Sequence, residues 1–179
     1  MDIYKFNFTI LEKEIFNLLS LRSGEQFSQR EMSKLLKVSP TAVSYSVKNL
    51  EKTGLIRIKE VKTINFVFFN RDNPKAIELK RVQNLKNIYI SKLLDYLRKE
   101  LPGGIIILFG SYSLGEDVLG SDIDLVVLGR KDKLLKLEIF EKNLCRNINI
   151  NFYNSWKEIN KHLKNNILNG IILEGSIEL

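Results

Sequence analysis

An α+β chain in two parts is predicted for these 179 residues, on three observations. From Thr9 to Gly54 apolar residues recur at three- and four-residue steps, the period of a helix. Two runs rich in β-branched and aromatic residues follow, Leu55 to Ile58 and Ile64 to Phe69. Beyond Pro102, short apolar runs of strand length (Ile105 to Phe109, Leu125 to Leu128, Ile148 to Phe152) stand among helical segments. The expected division is 1–72, a connector over 73–101, and 102–179.

Ile10, Leu11, Ile15, Leu18 and Leu19 place a first amphipathic helix over Thr9 to Leu21. Ser28 with Glu31 three places on reads as a capping box opening a second helix through Lys37. After the break at Val38-Ser39, Pro40 occupies the first turn of a third helix with Ser39 as N-cap. That helix buries Val43, Val47 and Leu50 and stops at Gly54. The two β-rich runs, joined by the polar stretch Lys59 to Thr63, complete a helix, a helix-turn-helix and a hairpin.

The stretch FSQREMSKLLKVSPTAVSYSVKNLEKTGLIRIKE resembles the winged helix-turn-helix of many prokaryotic transcription regulators, over about Asn7 to Asn70. The resemblance implies DNA as a partner. Pro40 to Thr53 would enter the major groove, with Ser39, Thr41, Ser44, Tyr45 and Lys48 able to reach bases or phosphates. Arg57, Lys59 and Lys62 of the wing would meet the backbone, adding affinity and salt dependence without reading sequence. Winged helices also serve as protein-protein and dimerisation modules.

Asp72-Asn73-Pro74 signals a turn, and from Lys75 to Leu101 the pattern becomes one long amphipathic helix. Its apolar positions are Leu79, Val82, Leu85, Tyr89, Leu93 and Leu97, and Pro102-Gly103-Gly104 ends it. That face suits either the chain's own core or a second copy, so a homodimer is an expected state.

The stretch from Leu108 to Leu128, LFGSYSLGEDVLGSDIDLVVL, carries the chemistry. A strand-like run delivers Gly110-Ser111, and ten residues later Asp122-Ile123-Asp124 opens a second run. On a strand alternate residues share a face, so the two aspartates point the same way and Ile123 faces the core. Paired carboxylates beside a tight turn are equipped to hold divalent cations and a polyphosphate.

The spacing Gly-Ser-x10-Asp-x-Asp resembles the polymerase-β-type nucleotidyltransferase superfamily, in particular its small minimal branch in bacteria and archaea, over roughly Leu101 to Leu179. Gly115 and Ser121 also fall where that branch has Gly and Ser. The resemblance implies a small mixed sheet flanked by helices. It makes Gly110 and Ser111 the turn holding the triphosphate of an NTP, and Asp122 and Asp124 the catalytic ligands of Mg²⁺ or Mn²⁺. The family's third carboxylate belongs on a neighbouring strand, here Ile148 to Phe152, where the chain offers Asn149 and Asn151. Asparagine lends one neutral carbonyl, no charge and no general base. Glu138, Glu141 and Glu158 are the nearby acids, and all three read as polar helix faces. Gly170 introduces Ile171-Ile172-Leu173, an expected short buried strand after a helix over Trp156 to Leu168.

The net charge of +7 is uneven: residues 1–100 hold 19 basic and 11 acidic side chains, residues 101–179 hold 9 and 10. The excess lies with the part expected to meet nucleic acid. One cysteine, Cys145, excludes an internal disulfide and cysteine-cluster zinc sites, and the lone His162 sits on a polar helix. Triad-type acyl chemistry therefore has no basis. No apolar run reaches membrane-spanning length and no signal-peptide layout opens the chain, so a cytoplasmic protein is expected.

These readings combine into a magnesium-dependent nucleotidyltransferase moving a nucleoside monophosphate from an NTP to an acceptor hydroxyl of protein, RNA or small molecule, joined to a DNA-binding winged helix. The rival is a DNA-binding regulator whose degenerate transferase domain only binds nucleotide. The missing third carboxylate favours the rival.

Overall fold

The computed structural model describes residues 8–177. The expected outer bounds, residues 1–7 and 178–179, lie outside the described residues. The chain divides into two compact units, Met1–Lys80 and Arg81–Leu179.

In the first unit α1 runs Ile10–Leu21, α2 Gln29–Leu36 and α3 Pro40–Lys52. Each start is fixed by a cap. Thr9 and Glu12 form a capping box on α1, Ser28 and Glu31 another on α2, and Ser39 caps α3 ahead of Pro40. The capping box at Thr9 is equally written in the sequence, where Glu12 stands three residues on. α2 ends one residue before Lys37, which takes a left-handed φ of 55° as its C-cap. The hairpin is longer than expected: β2 covers Ile56–Val61 and β3 Ile64–Phe69, turning through Lys62 at φ 57°. A third, two-residue strand, β1 (Phe27–Ser28), pairs antiparallel with β3, giving the order β1-β3-β2. Ile15, Leu19, Met32, Val43, Val47, Leu50, Leu55 and Val67 close the core beneath the three helices.

The connector departs from expectation. Instead of one helix there are two, α4 (Pro74–Ile90) and α5 (Leu93–Glu100), parted where Lys92 takes φ 65°. Val82 and Tyr89 are 64% and 47% exposed, whereas Ile88 and Leu94 are buried. The break rotates the register so that Ile88, Leu93, Leu94 and Leu97 all reach one core, which an unbroken helix of 3.6 residues per turn would not allow. Ala76, Ile77 and Leu79 belong to the first core, and Leu85 and Ile88 to the second.

The second unit is a mixed four-stranded sheet in the order β6-β5-β4-β7, with β4 at Ile105–Phe109, β5 at Ile123–Leu128, β6 at Ile148–Tyr153 and β7 at Ile171–Glu174. β4 runs antiparallel to β5 and β7, and β6 runs parallel to β5. Alternation sorts the strands between two apolar layers. Ile106, Leu108, Ile123, Leu125 and Val127 pack with α5 and with α7 (Glu138–Leu144). Ile107, Phe109, Val126 and Leu128 pack with Ile159 and with Ile167 of α8 (Lys161–Leu168).

Two further expectations are corrected. The helix over Trp156 to Leu168 is a 3-10 turn at Trp156–Glu158 followed by α8, because the Asn160 side chain caps α8 through Leu163 N–H at 2.9 Å. The closing strand β7 is an edge, not a buried strand: Leu173 is enclosed but Ile172 is 46% exposed.

Candidate functional site

β4 ends at Phe109, which stands opposite Asp124 in the antiparallel ladder. The chain then turns through Gly110 at φ +73° into the short helix α6 (Gly110–Leu114). A Cβ at Gly110 would lie 2.6 Å from Asp124 Oδ2, so the turn rests against the carboxylate, and a side chain there would have to displace it. The Ser113 hydroxyl donates to the Gly110 carbonyl at 2.8 Å, and Glu116 N–H donates to the Ser111 carbonyl at 2.9 Å. Gly115, at φ 77°, caps α6, and Ser121 Oγ accepts from Val118 N–H at 3.0 Å. Both residues thus shape the return from the turn to the aspartates.

Ile123 is fully buried, and the aspartates flanking it are half-exposed. Asn149 is the lateral partner of Asp124 in the parallel register. Its amide donates to Asp122 Oδ2 at 2.9 Å, while the Asn147 amide donates to Asp122 Oδ1 at 3.2 Å. Burial pushes the Asp124 carboxyl above its ordinary range, the Asp122 charge adds to the rise, and a hydrogen bond from Asn149 opposes it. The four expected residues Gly110, Ser111, Asp122 and Asp124 are therefore brought to one end of the two central strands, where β4 finishes and β5 begins.

Of the two asparagines at the expected third-carboxylate place, Asn149 is the lateral partner of Asp124. Asn151 sits one step along the same strand face, opposite Val126. Glu141 accepts from Ile148 N–H at 3.0 Å, Glu158 accepts from Asn154 N–H at 3.0 Å, and Glu138 is exposed in the first turn of α7. Among the described residues no group of three His, Cys, Asp or Glu side chains is placed to hold a metal ion.

Sequence reasoning missed a buried polar network behind the turn. Asn84 donates to the Tyr112 carbonyl at 2.9 Å and to Asp117 Oδ1 at 2.7 Å. Arg146 meets Asp117 Oδ2 at 3.1 Å, the two side chains 0% and 1% exposed. In the sequence these are a polar residue on an amphipathic helix and two ordinary loop charges. Their burial is a product of topology.

On the first unit, Thr41, Tyr45 and Lys48 are exposed on α3 and Ser44 is half-buried. The Ser39 hydroxyl is committed to its cap, accepting from Ala42 N–H at 3.2 Å. Lys59 and Lys62 are exposed, Lys62 at the hairpin tip. Arg57 is exposed but paired with Asp72 at 2.7 Å. His162 and Cys145 are both exposed, and no described helix is long and apolar enough to cross a membrane.

No curated protein and no solved structure gives a match to the chain. Two family models do, that of the MarR family over residues 8–63 and that of the nucleotidyltransferase domain over residues 90–173. The three-helix unit with its hairpin and the mixed sheet with its glycine turn and paired aspartates coincide with those two segments. The chain thus joins a MarR-type winged helix-turn-helix domain to a nucleotidyltransferase domain.

Proposed function

We propose that this protein is a DNA-binding regulator whose nucleotidyltransferase domain binds a metal-complexed nucleoside triphosphate without transferring it. The observation carrying this reading is Asn149, the lateral neighbour of Asp124, which donates to Asp122. Nucleotidyltransferase domains generally use a divalent metal ion and an NTP. Two aspartates and a glycine turn that a Cβ would fill fit one Mg²⁺ or Mn²⁺ shared with phosphates, since Mg²⁺ is commonly held by one or two carboxylates plus the substrate. A neutral amide in the third place does not fit a second metal, and it cannot take the proton of an acceptor hydroxyl.

In this reading Asp122 and Asp124 hold the metal, which when bound offsets the charge of the phosphates. The Gly110-Ser111 backbone and the Ser111 hydroxyl face the triphosphate. Asn147 and Asn149 keep the Asp122 carboxylate oriented through its two oxygens. Thr41, Ser44, Tyr45 and Lys48 of α3 meet DNA, with Ser39 at the helix start and Arg57 and Lys62 at the wing.

A second reading, transfer of a nucleoside monophosphate to an acceptor hydroxyl, is favoured by an open cavity of about 460 Å³ that reaches the neighbours of Asp122. Ser121 and Asn147, the residues flanking and touching Asp122, line it. One experiment separates the two. The full chain is titrated with each of the four NTPs and Mg²⁺ or Mn²⁺, then incubated with α-phosphate-labelled NTP and candidate acceptors. Binding abolished by Asp122→Asn, with no label transferred, is the expected result. Label transfer that Asp122→Asn abolishes would overturn the regulator in favour of the transferase, and absence of NTP binding would overturn both. DNA affinity measured with and without the bound NTP completes the test, since a regulator requires a difference.

A further inference from the structure

Asn84, Asp117 and Arg146 are buried polar groups far apart in sequence, and none belongs to the four residues at the site. Their contacts run toward both halves of it. On one side Asn84 donates to the carbonyl of Tyr112, two residues after the Gly110 turn, in α6. On the other it donates to Asp117, which pairs with Arg146. Arg146 also donates to the Cys145 carbonyl at 2.9 Å, pinning a loop in which Cys145 takes φ 52°. The next residue, Asn147, is held at both ends. Its carbonyl accepts from Ile123 N–H at 2.8 Å, and its side chain donates to Asp122 Oδ1 at 3.2 Å.

We infer that the Asn84–Asp117–Arg146 network is a positioning frame for the nucleotide site, holding the phosphate turn through Tyr112 and Asp122 through Asn147 in one fixed relation. The three are positioning residues, because their hydrogen bonds run to Tyr112, to Cys145 and to one another, and none belongs to the glycine turn or the aspartate pair. A buried ion pair is weak evidence for stability in itself, since an apolar replacement of the same shape often serves as well. A network whose ends reach the two separate pieces of a binding site has a geometric task that an apolar core would not perform. Binding constellations tolerate displacements of only about 0.5 Å, so supporting hydrogen bonds of this kind decide affinity. The inference rests on the reading of Gly110, Ser111, Asp122 and Asp124 as a metal-phosphate site.

The test uses inorganic tripolyphosphate with Mg²⁺ as the probe, which reads the site without the nucleoside. Binding is measured calorimetrically at a temperature where thermal melts show each protein folded. The proteins are the wild-type chain, Asn84→Ala, Asp117→Asn and the exposed-residue variant Asn147→Ala. The inference expects at least tenfold weaker Mg²⁺-supported binding in each variant, with a higher Mg²⁺ concentration needed for half-saturation. A merely structural network would lower the melting temperature of Asn84→Ala and Asp117→Asn and leave the affinity of the folded protein unchanged, which would overturn the inference. Asn147 is exposed at the end of the frame and touches Asp122 directly, so its variant reads the last link alone. The milder Asn84→Ser, which shortens the donor without emptying the site, keeps the frame testable where a harsher buried substitution fails to fold, and unchanged affinity there overturns the inference. Wild-type protein that binds neither tripolyphosphate nor NTP would overturn the site itself, a result distinct from normal binding by the variants.

Discussion

The side-chain amide of Asn149 donates a 2.9 Å hydrogen bond to Asp122 Oδ2. The contact makes Asp122 a carboxylate satisfied by neutral donors, with the Asn147 amide on its other oxygen. A third acid at this place would instead repel both aspartates and demand a cation. The charge count at this end of the sheet turns on this residue, and in the proposed reading so does the choice between holding and transferring a nucleotide.

Asn149→Asp is accordingly expected to make the site metal-dependent. Without metal, the lost hydrogen bond and the added like charge lower stability by roughly 1–3 kcal/mol. Millimolar Mg²⁺ or Mn²⁺ restores the melting temperature in the variant far more than in the wild type. Melts with and without metal check this. Equal metal responses in the two proteins would show that residue 149 does not face the ion.

Gly110→Ala tests the closeness of turn and carboxylate. Its φ of +73° costs an L-residue about 1–2 kcal/mol, and the new Cβ displaces Asp124 Oδ2 from its place. The expected outcome is a folded protein with a lowered melting temperature and Mg²⁺–NTP affinity reduced tenfold or more, read by calorimetry. Retained affinity would mean that Asp124 is not a ligand.

Tyr112 sets an alkaline limit. Burial, chiefly, and the nearby Asp117 charge push its hydroxyl from 10.0 up to about 12. A pKa raised by folding stabilises the native state fully below the unfolded value, and that contribution is lost as pH climbs through the folded one. Stability should therefore fall between pH 10 and 12, by up to about 2.7 kcal/mol from this group. The buried hydroxyl makes no hydrogen bond of good geometry, its Asn87 contact only weakly opposing the rise, so Tyr112→Phe changes the neutral-pH stability little. It also removes that part of the alkaline loss, as denaturant titrations at pH 8 and pH 11 would reveal.

DNA binding should separate Lys48 from Arg57. Lys48 is exposed on α3, whereas Arg57 is already paired with Asp72. Lys48→Glu is expected to weaken binding to mixed genomic fragments several-fold and to reduce the salt slope by about one. Arg57→Ala should have the smaller effect on DNA and change stability by no more than about 1 kcal/mol, the ordinary worth of an exposed pair. Anisotropy titrations at two salt concentrations measure both, and salt-independent binding would argue against a winged-helix reader.

Local chemistry made much of this protein legible in its sequence. Ser28 with Glu31, and Ser39 ahead of Pro40, announce helix starts because a cap needs only three or four neighbouring residues. Gly110-Ser111 and Asp122-Ile123-Asp124 announce the site because a tight turn and a two-residue alternation are equally local. The absence of an acid from the stretch 148–152 was readable in the same way.

What the sequence determined by itself, then, was the identity of the elements and the residue types each end of them offers. Tertiary structure alone decided which of those residues meet. The parallel register of β6 against β5 sets Asn149 beside Asp124. The break at Lys92 turns Leu93 and Leu94 into the core. The burial of Asp117 and Arg146 makes an ion pair of two residues 29 positions apart. Such pairings depend on which loops close and which surfaces pack. The free energy that settles them is spread over the whole sheet and its two apolar layers, and no short window of the chain contains it.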